Sequence, residues 1–241
     1  NFALGMWVML GGMLTYTFTV QLHLAPLLAG PLVVSLLLAL GLVAERVSVH
    51  PFIRAGSDVW VMTTLAVGLL FVDSSELLWG RSQNTVPPYL GDVPIPLGPV
   101  SVRPQHLLAL ASMCLTFLGL EFFYRRTLTG KAYRAIAFDR TAGSLMGINV
   151  RLMEASSYAM AAGLAGLAGF LIVPITGADP HFGTGLGFKA FAVAIIAGLS
   201  APRGILLCGL LYGAFEGLVS GYLNTGVRDI LGFGLMILVL Y

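Results

Sequence analysis

The chain has 241 residues, 57% of them hydrophobic and only 10% charged, with a mean hydropathy of +0.90. Soluble domains run at roughly 45–50% apolar and about 25% charged, so the composition excludes that class and identifies a membrane protein. The formal net charge of +2 makes no electrostatic case for a nucleic-acid partner; what counts is where the cations lie relative to the spans.

A spanning helix needs about 20 apolar residues to cross a hydrocarbon core of roughly 30 Å. Spans are predicted at 2–20 and 25–44, followed by a polar connection over 42–58 that carries Glu45, Arg46, His50 and Arg54. The third span, 59–79, is interrupted by the polar tetrad DSSE. Residues 80–104 hold six of the twelve prolines and are predicted to be non-helical, because proline lacks the N–H donor and clashes with the preceding turn. Within them VPIPLGPVSV reads as extended, a small hairpin.

A fourth span covers 105–124 and a fifth 156–174. The Gly-rich TGADPHFGTGLG then points to irregular backbone ahead of a short apolar run at 186–199. Fourteen residues make only about 21 Å of helix, so this run is expected to be tilted, partial or broken. Spans at 205–220 and from 229 complete the pattern. The chain opens at Asn1 on an apolar run and stops mid-run at Tyr241, which leads us to expect a single transmembrane domain, 1–241, clipped at both ends and lacking an earlier span.

Cys114 and Cys208 each sit in an apolar run, and their spacing supports neither a disulfide framework nor a metal cluster. His23, His50, His106 and His181 show no metal-ligand spacing and assemble no Ser/His/Asp set. Nothing here argues for chemistry on a bound substrate.

The segment RRTLTGKAYRAIAFDRTAGSLMGINVR, 125–151, gathers six of the thirteen Lys and Arg. At about 3 kcal/mol per central cation, six would cost roughly 18 kcal/mol in a spanning position, so the segment lies outside the hydrocarbon. Taken as cytoplasmic, it puts nine cations inside (Arg46, Arg54, Arg125, Arg126, Lys131, Arg134, Arg140, Arg151, Arg203) and three outside (Arg81, Arg103, Arg228). Lys189 lies near a span. The positive-inside rule supports this orientation.

Inside the segment, Ala132, Ile136, Ala137 and Phe138 recur at near-helical spacing, and Leu145 and Met146 follow a small-residue break at Ala142–Ser144. The pattern predicts short amphipathic helices whose apolar stripe faces a surface. Two readings stand: the cations only set topology and touch anionic headgroups, or the segment docks a cytoplasmic protein. It is no phosphate-binding loop, since TLTGKA lacks the leading glycine and has Ala132 where a Ser or Thr must hold magnesium.

The runs GKAYRAIAFDRTAGSLMGINV, AGLAGLAGFL, GFKAFAVAIIAGLSAPRG and the GYL…RDILGFGLMILVL ending resemble the membrane permease of the branched-chain amino acid class of ABC importers. NFALGMWVMLGG is similar to the motif that ends that family's first helix. The resemblance covers almost the whole chain and implies an all-α polytopic bundle in a bacterial inner membrane. It implies that 125–155 is a cytoplasmic coupling loop seated in a groove of an ATPase subunit and that 80–104 is external. Matched residue by residue, the coupling positions are Arg134, Ala135, Asp139, Ala142, Gly143, Met146, Gly147, Ile148 and Asn149. The implied partners are a second permease subunit, identical or not, two ATP-binding subunits, an external solute-binding protein and membrane lipid. ATP and magnesium would sit on the partner subunits, with no cofactor on this chain. Two departures from the family pattern bear on the substrate: Leu4 replaces the usual His, and DSSE at 73–76 falls where members often carry amides.

Gly163, Gly166 and Gly169 in the fifth span, and Gly209, Gly213, Gly217 and Gly221 in a later one, read as stripes that let helices approach closely. Glu216 lies in an otherwise apolar span and is a candidate for the pathway or for a helix junction. Asp73 and Glu76, three apart on one helical face, either snorkel to the outer interface or attract a substrate ammonium group. Phe182, Gly185 and Phe188 are candidate lining residues, because interrupted spans bracket substrate routes in transporters. Lys189 reads as a snorkelling interfacial residue. Two other classes stay open: a carrier or channel driven by an ion gradient, which needs embedded carboxylates, and a polytopic membrane enzyme, which needs clustered His, Asp or Glu at one membrane face.

Overall fold

A computed structural model of the chain describes residues 2–54, 59–97, 100–199, 202–222 and 225–240. Asn1, Tyr241 and parts of the predicted connections at 42–58 and 200–204 lie outside the described residues. The protein is an all-α polytopic membrane bundle. Its helices are α1 (Leu4–Tyr16), α2 (Pro26–Ala44), α3 (His50–Arg54), α4 (Trp60–Trp79), α5 (Pro104–Arg126), α6 (Leu128–Phe138), α7 (Arg140–Leu145), α8 (Val150–Thr176), α9 (Phe182–Ala197), α10 (Pro202–Tyr222) and α11 (Thr225–Leu240). Among the described residues five helical segments are long and apolar enough to cross a membrane: Pro26–Phe52, Met62–Trp79, Pro104–Arg126, Val150–Thr176 and Pro202–Tyr222. The chain forms two compact units, Asn1–Thr184 and Gly185–Tyr241.

In the first unit α1 is the buried element, with every residue from Gly5 to Met13 inside. A helix that is apolar all round needs neighbours all round, and glycine supplies the room. An added Cβ at Gly11 would lie 2.8 Å from the Gly166 Cα, and one at Gly169 would fall on the Val8 carbonyl and 2.7 Å from the Gly12 nitrogen. α1 and α8 therefore cross backbone against backbone. α2 runs antiparallel along another face of α8, with Gly30 beside Phe170, Leu37 beside Gly166, Leu38 beside Gly163 and Gly41 beside Ala162. α4 runs parallel to α1: Gly68 faces Ala3 and Met6, the Trp7 and Phe71 rings pack edge to face at 4.6 Å, and Trp79 Nε1 donates to Thr17 Oγ1 at 2.6 Å.

Two helices widen into π turns, at Thr17–Gln21 after α1 and at Glu45–Val49 after α2. Hydroxyls that bond back to the preceding turn accompany both: Thr15, Thr17 and Thr19 donate to the carbonyls of Gly11, Met13 and Thr15, and Ser48 donates to Ala44. Such back-bonding loosens and bends a helix. The second π turn corrects the predicted connection at 42–58, which is helical as far as Arg54. Glu45 is 6% exposed and Ser48 5%, because Thr63 of α4 donates to the Ser48 carbonyl at 2.5 Å and holds the turn inside. Polar composition suggested a solvated loop where the neighbours bury the polar groups.

The predicted hairpin is present, with β1 (Ile95–Leu97) antiparallel to β2 (Val100–Val102) and Ile95 opposite Val102. The fifth span starts at Val150 rather than 156, because Asn149 caps it, accepting from the Leu152 N–H at 3.1 Å. FGTGLG, expected to be irregular, is the first part of α9. Gly183 explains its start: a Cβ there would collide with the Gly5 carbonyl and lie 2.6 Å from the Met9 Cβ, so the glycine brings the helix N-terminus against α1. At 16 residues α9 is about 24 Å long, still short of a full crossing.

Candidate functional site

The basic segment folds into a bracket of two short helices, each held by its own cap. Thr127 Oγ1 accepts from the Gly130 N–H at 3.0 Å and starts α6. A Cβ on Gly130 would lie 2.7 Å from the Tyr124 Cα, so α6 can fold tightly back on α5 only with glycine here. Asp139, in extended backbone, accepts from the N–H groups of Thr141 and Ala142 at 2.8 and 3.0 Å and starts α7. Gly143 lies under Ile136, where an added Cβ would sit 3.1 Å from Cγ1, and this seats α7 on α6. Gly147 has φ +80°, a left-handed conformation that glycine adopts without penalty. It turns the chain into Asn149 and so into α8.

Two side-chain links tie the bracket to α8. Tyr133 Oη shares a hydrogen bond of 2.6 Å with Ser156 Oγ, and Arg140 forms an ion pair with Glu154. The apolar stripe anticipated over 132–138 divides. Ile136 turns inward and is 8% exposed, whereas Phe138 is 95% exposed and Leu145 and Met146 are each 83% exposed. Phe138 ends its helix, so its side chain leaves the face that Ile136 occupies. Arg134, Ala135 and Ala142 are exposed, and Ile148 is half-buried. The bracket thus presents the large apolar side chains Leu128, Phe138, Leu145 and Met146, together with the exposed cations Arg125, Arg126, Lys131 and Arg134.

Losing the α7 cap by Asp139→Ala is expected to cost about 1 kcal/mol, while Asp139→Asn keeps it. Faster hydrogen exchange at the Thr141 and Ala142 amides in the alanine variant alone checks this.

The acidic candidates separate. Asp73 is exposed, whereas Glu76 accepts from Arg81 Nε at 2.7 Å and lies 2.9 Å from His181 Nε2. Being three apart gave them one face; among the described residues the neighbouring loops engage Glu76 and not Asp73. Phe182 packs on Gly12 in the first unit. In the second unit Phe188 is 51% exposed, and a Cβ on Gly185 would meet nothing within 4 Å among the described residues. The same holds for Gly213, Gly217 and Gly221, while Gly209 approaches only Val193, at 3.9 Å.

Glu216 has partners that sequence reasoning missed. Lys189 Nζ donates to Glu216 Oε1 at 2.5 Å and to Asp229 Oδ1 at 2.8 Å, and Tyr212 Oη donates to Glu216 at 3.0 Å. One cation joins α9, α10 and α11. Lys189 is therefore not a snorkelling residue: its side chain is 15% exposed and its charge is matched within the second unit. A lone lysine among apolar residues was the available signal, because a charge inside a span demands a partner. Among the described residues no group of three His, Cys, Asp or Glu could hold a metal ion.

A family model described as branched-chain amino acid transport system permease component matches residues 1–240. The chain belongs to this family. The chain is 38% identical over 127 residues to the high-affinity branched-chain amino acid transport system permease protein LivH of Escherichia coli K12, a match that covers 52% of the chain and 41% of that relative. It is 28% identical to the permease protein BraD of Pseudomonas aeruginosa over 255 residues, covering 100% of the chain and 82% of BraD. A more distant likeness, 31% over 118 residues, is to the ribose import permease protein RbsC of Escherichia coli K12, covering 48% of the chain and 36% of RbsC. The chain thus matches less than half the length of its Escherichia coli and Salmonella LivH relatives. No solved structure matches the permease.

Proposed function

We propose that the permease is the membrane-spanning subunit of an ATP-driven ABC importer in a bacterial inner membrane, passing branched-chain or related amino acids, or a similar small polar solute, handed over by an external solute-binding protein. The basic bracket is its cytoplasmic docking site. It works with a second permease subunit and two ATP-binding subunits, which carry the ATP and magnesium. The observation that carries this reading is the exposed trio Phe138, Leu145 and Met146 on a bracket whose helices are capped at Thr127 and Asp139 and anchored to α8.

An apolar trio together with exposed cations suits a groove with an apolar floor and an acidic rim, where the apolar core supplies affinity and the rim supplies partner choice. Ile136 over Gly143 keeps α6 and α7 together, and Tyr133–Ser156 and Arg140–Glu154 pass any displacement of the bracket to α8. Asp73, Glu76 and Phe182 in the first unit and, separately, Gly185, Phe188 and Glu216 in the second are the residues we assign to contact with solute.

A carrier driven by an ion gradient needs an embedded carboxylate free to take up its ion. Glu216 is occupied by Lys189 and Tyr212, and Glu76 by Arg81 and His181. Of the three candidate carboxylates Asp73 alone is exposed, so the pairing of the other two supports the ATP-driven reading and leaves Asp73 as the residue a gradient-driven carrier would use. Co-purification with an ATPase, and uptake that stops without ATP, test it; uptake that persists without any ATPase would sink it.

Changing Phe138, Leu145 and Met146 together to serine is expected to weaken ATPase association about 30-fold, the equivalent of about 2 kcal/mol at an interface centre. The trio is exposed, so membrane insertion is expected to be unchanged. Pull-down of the ATPase from solubilised membranes reads the first effect and fractionation the second.

A further inference from the structure

Pro174 lies inside α8, two residues before its end at Thr176. Proline has no N–H, so the carbonyl four residues earlier, that of Phe170, has no intrahelical donor, and the proline ring crowds that carbonyl. In a membrane an orphaned carbonyl must find a donor elsewhere. Here the Pro-rich segment between α4 and α5 provides it. Tyr89 Oη donates to the Phe170 carbonyl at 2.7 Å, and its ring stacks on the Phe170 ring at 4.6 Å with 16° between planes. Burial pushes the Tyr89 phenol above the usual tyrosine range, so it stays a donor at any physiological pH.

Gln105, 2% exposed, does the same one residue on. Its Nε2 donates to the Leu171 carbonyl at 2.9 Å, while its Oε1 accepts from the Tyr89 N–H at 3.3 Å. One amide thus bridges the segment and the helix. Past the proline, Gln83 donates to the Thr176 carbonyl at 2.5 Å, and Asn84 exchanges two backbone hydrogen bonds with Ala178 at 2.8 and 2.7 Å.

The segment grips α8 on both sides of Pro174, and the two grips are not equivalent. Pro174 interrupts the hydrogen-bond ladder of α8 at the Phe170 carbonyl, while the helix itself continues to Thr176 and the Gly177 N–H reaches the Val173 carbonyl at 2.8 Å. Gln83 and Asn84 hold only the far side. Tyr89 and Gln105 hold carbonyls 170 and 171, which are continuous with the length of α8 that starts at Asn149 and carries Ser156 and Glu154.

We propose that Tyr89 and Gln105 are positioning residues for transport: they fasten the Pro-rich segment to α8 on the bracket side of Pro174, so that movement of the basic bracket is delivered along α8 to the opposite face of the membrane. This rests on the ATP-driven reading. α8 is about 40 Å long at 1.5 Å per residue, enough to join the two faces as one rod.

The test uses Tyr89→Phe, Pro174→Ala and their combination in the full-length permease, assembled with its ATPase and supplied with solute-loaded binding protein. Tyr89→Phe keeps the ring stack and removes only the hydroxyl. It is expected to lower the thermal midpoint of the complex and to reduce maximal uptake about tenfold, with the half-saturating concentration of loaded binding protein unchanged. Pro174→Ala supplies an N–H to the Phe170 carbonyl, so the combined variant is expected to regain the thermal midpoint but not the uptake, because the fastening is still absent. Uptake that recovers together with stability would reduce Tyr89 to a carbonyl partner and overturn the proposal, as would Tyr89→Phe with full uptake. An unaltered complex whose uptake ignores ATP would instead overturn the ATP-driven reading, and this proposal with it.

Discussion

Gly169→Val is expected to separate α1 from α8 and to destabilise the permease by at least about 3 kcal/mol, the upper end for overpacking a well-filled interior. The obstacle decides the magnitude. A side chain in the way can change rotamer, but a Cβ at 169 meets the Val8 carbonyl, the Gly12 nitrogen 2.7 Å away and the Gly11 carbonyl carbon 3.0 Å away, all main chain. Relief requires moving α1, which Trp7 and Gly68 also pin to α4. Gly217→Val is the matched control: nothing lies within 4 Å of its Cβ among the described residues, so the fold of the chain is expected to change by less than about 0.5 kcal/mol. Thermal midpoints of the two purified variants in detergent check the contrast, and equal losses would show that the glycine stripes are interchangeable.

Lys189→Met is expected to be nearly as damaging, at about 3 kcal/mol, because removing one partner of an enclosed ion pair leaves a charge without compensation. The two carboxylates will not suffer equally. Asp229, whose side chain is 58% exposed, keeps Arg228 at 3.5 Å, while Glu216, 18% exposed, keeps the Tyr212 hydroxyl as its partner among the described residues. Adding Glu216→Gln to Lys189→Met is therefore expected to restore most of the lost stability, and adding Asp229→Asn to restore little. Thermal midpoints of the single and double variants measure it. Equal rescue by both would show that Lys189 serves the two carboxylates alike.

The same residues show how far local pattern carries. Segments of 18 or more apolar residues announce themselves because the cost of placing Lys or Arg in hydrocarbon acts on each residue separately, so α2, α4, α5, α8 and α10 were legible within a few residues of their ends. Proline in 80–104 excluded helix there for an equally local reason. Caps were readable in principle, since Asp139 and Asn149 each precede a helix, but at 149 the apolar run drew attention to 156 instead.

Pairing decisions were beyond reach. Glu45 and Ser48 looked solvated until Thr63 of another helix closed over them; Lys189 looked interfacial until Glu216 and Asp229 arrived from two others; Phe138 looked like a neighbour of Ile136 until the helix ended beneath it. Tyr89 carried no signal at all, because the demand it meets is created by Pro174, about 85 residues away along the chain.

By itself the sequence determined that this is a polytopic helical membrane protein, where most of its spans lie, which segment must stay out of the hydrocarbon and which family it resembles, because each follows from transfer costs and motifs that act along the chain. Only the tertiary structure decided which glycines let backbones touch, which charges neutralise one another, which apolar side chains of the basic bracket face outward and what satisfies the carbonyl that Pro174 leaves open. Those depend on atoms from distant segments meeting within a few ångströms, and no periodicity in the chain encodes which segments will meet.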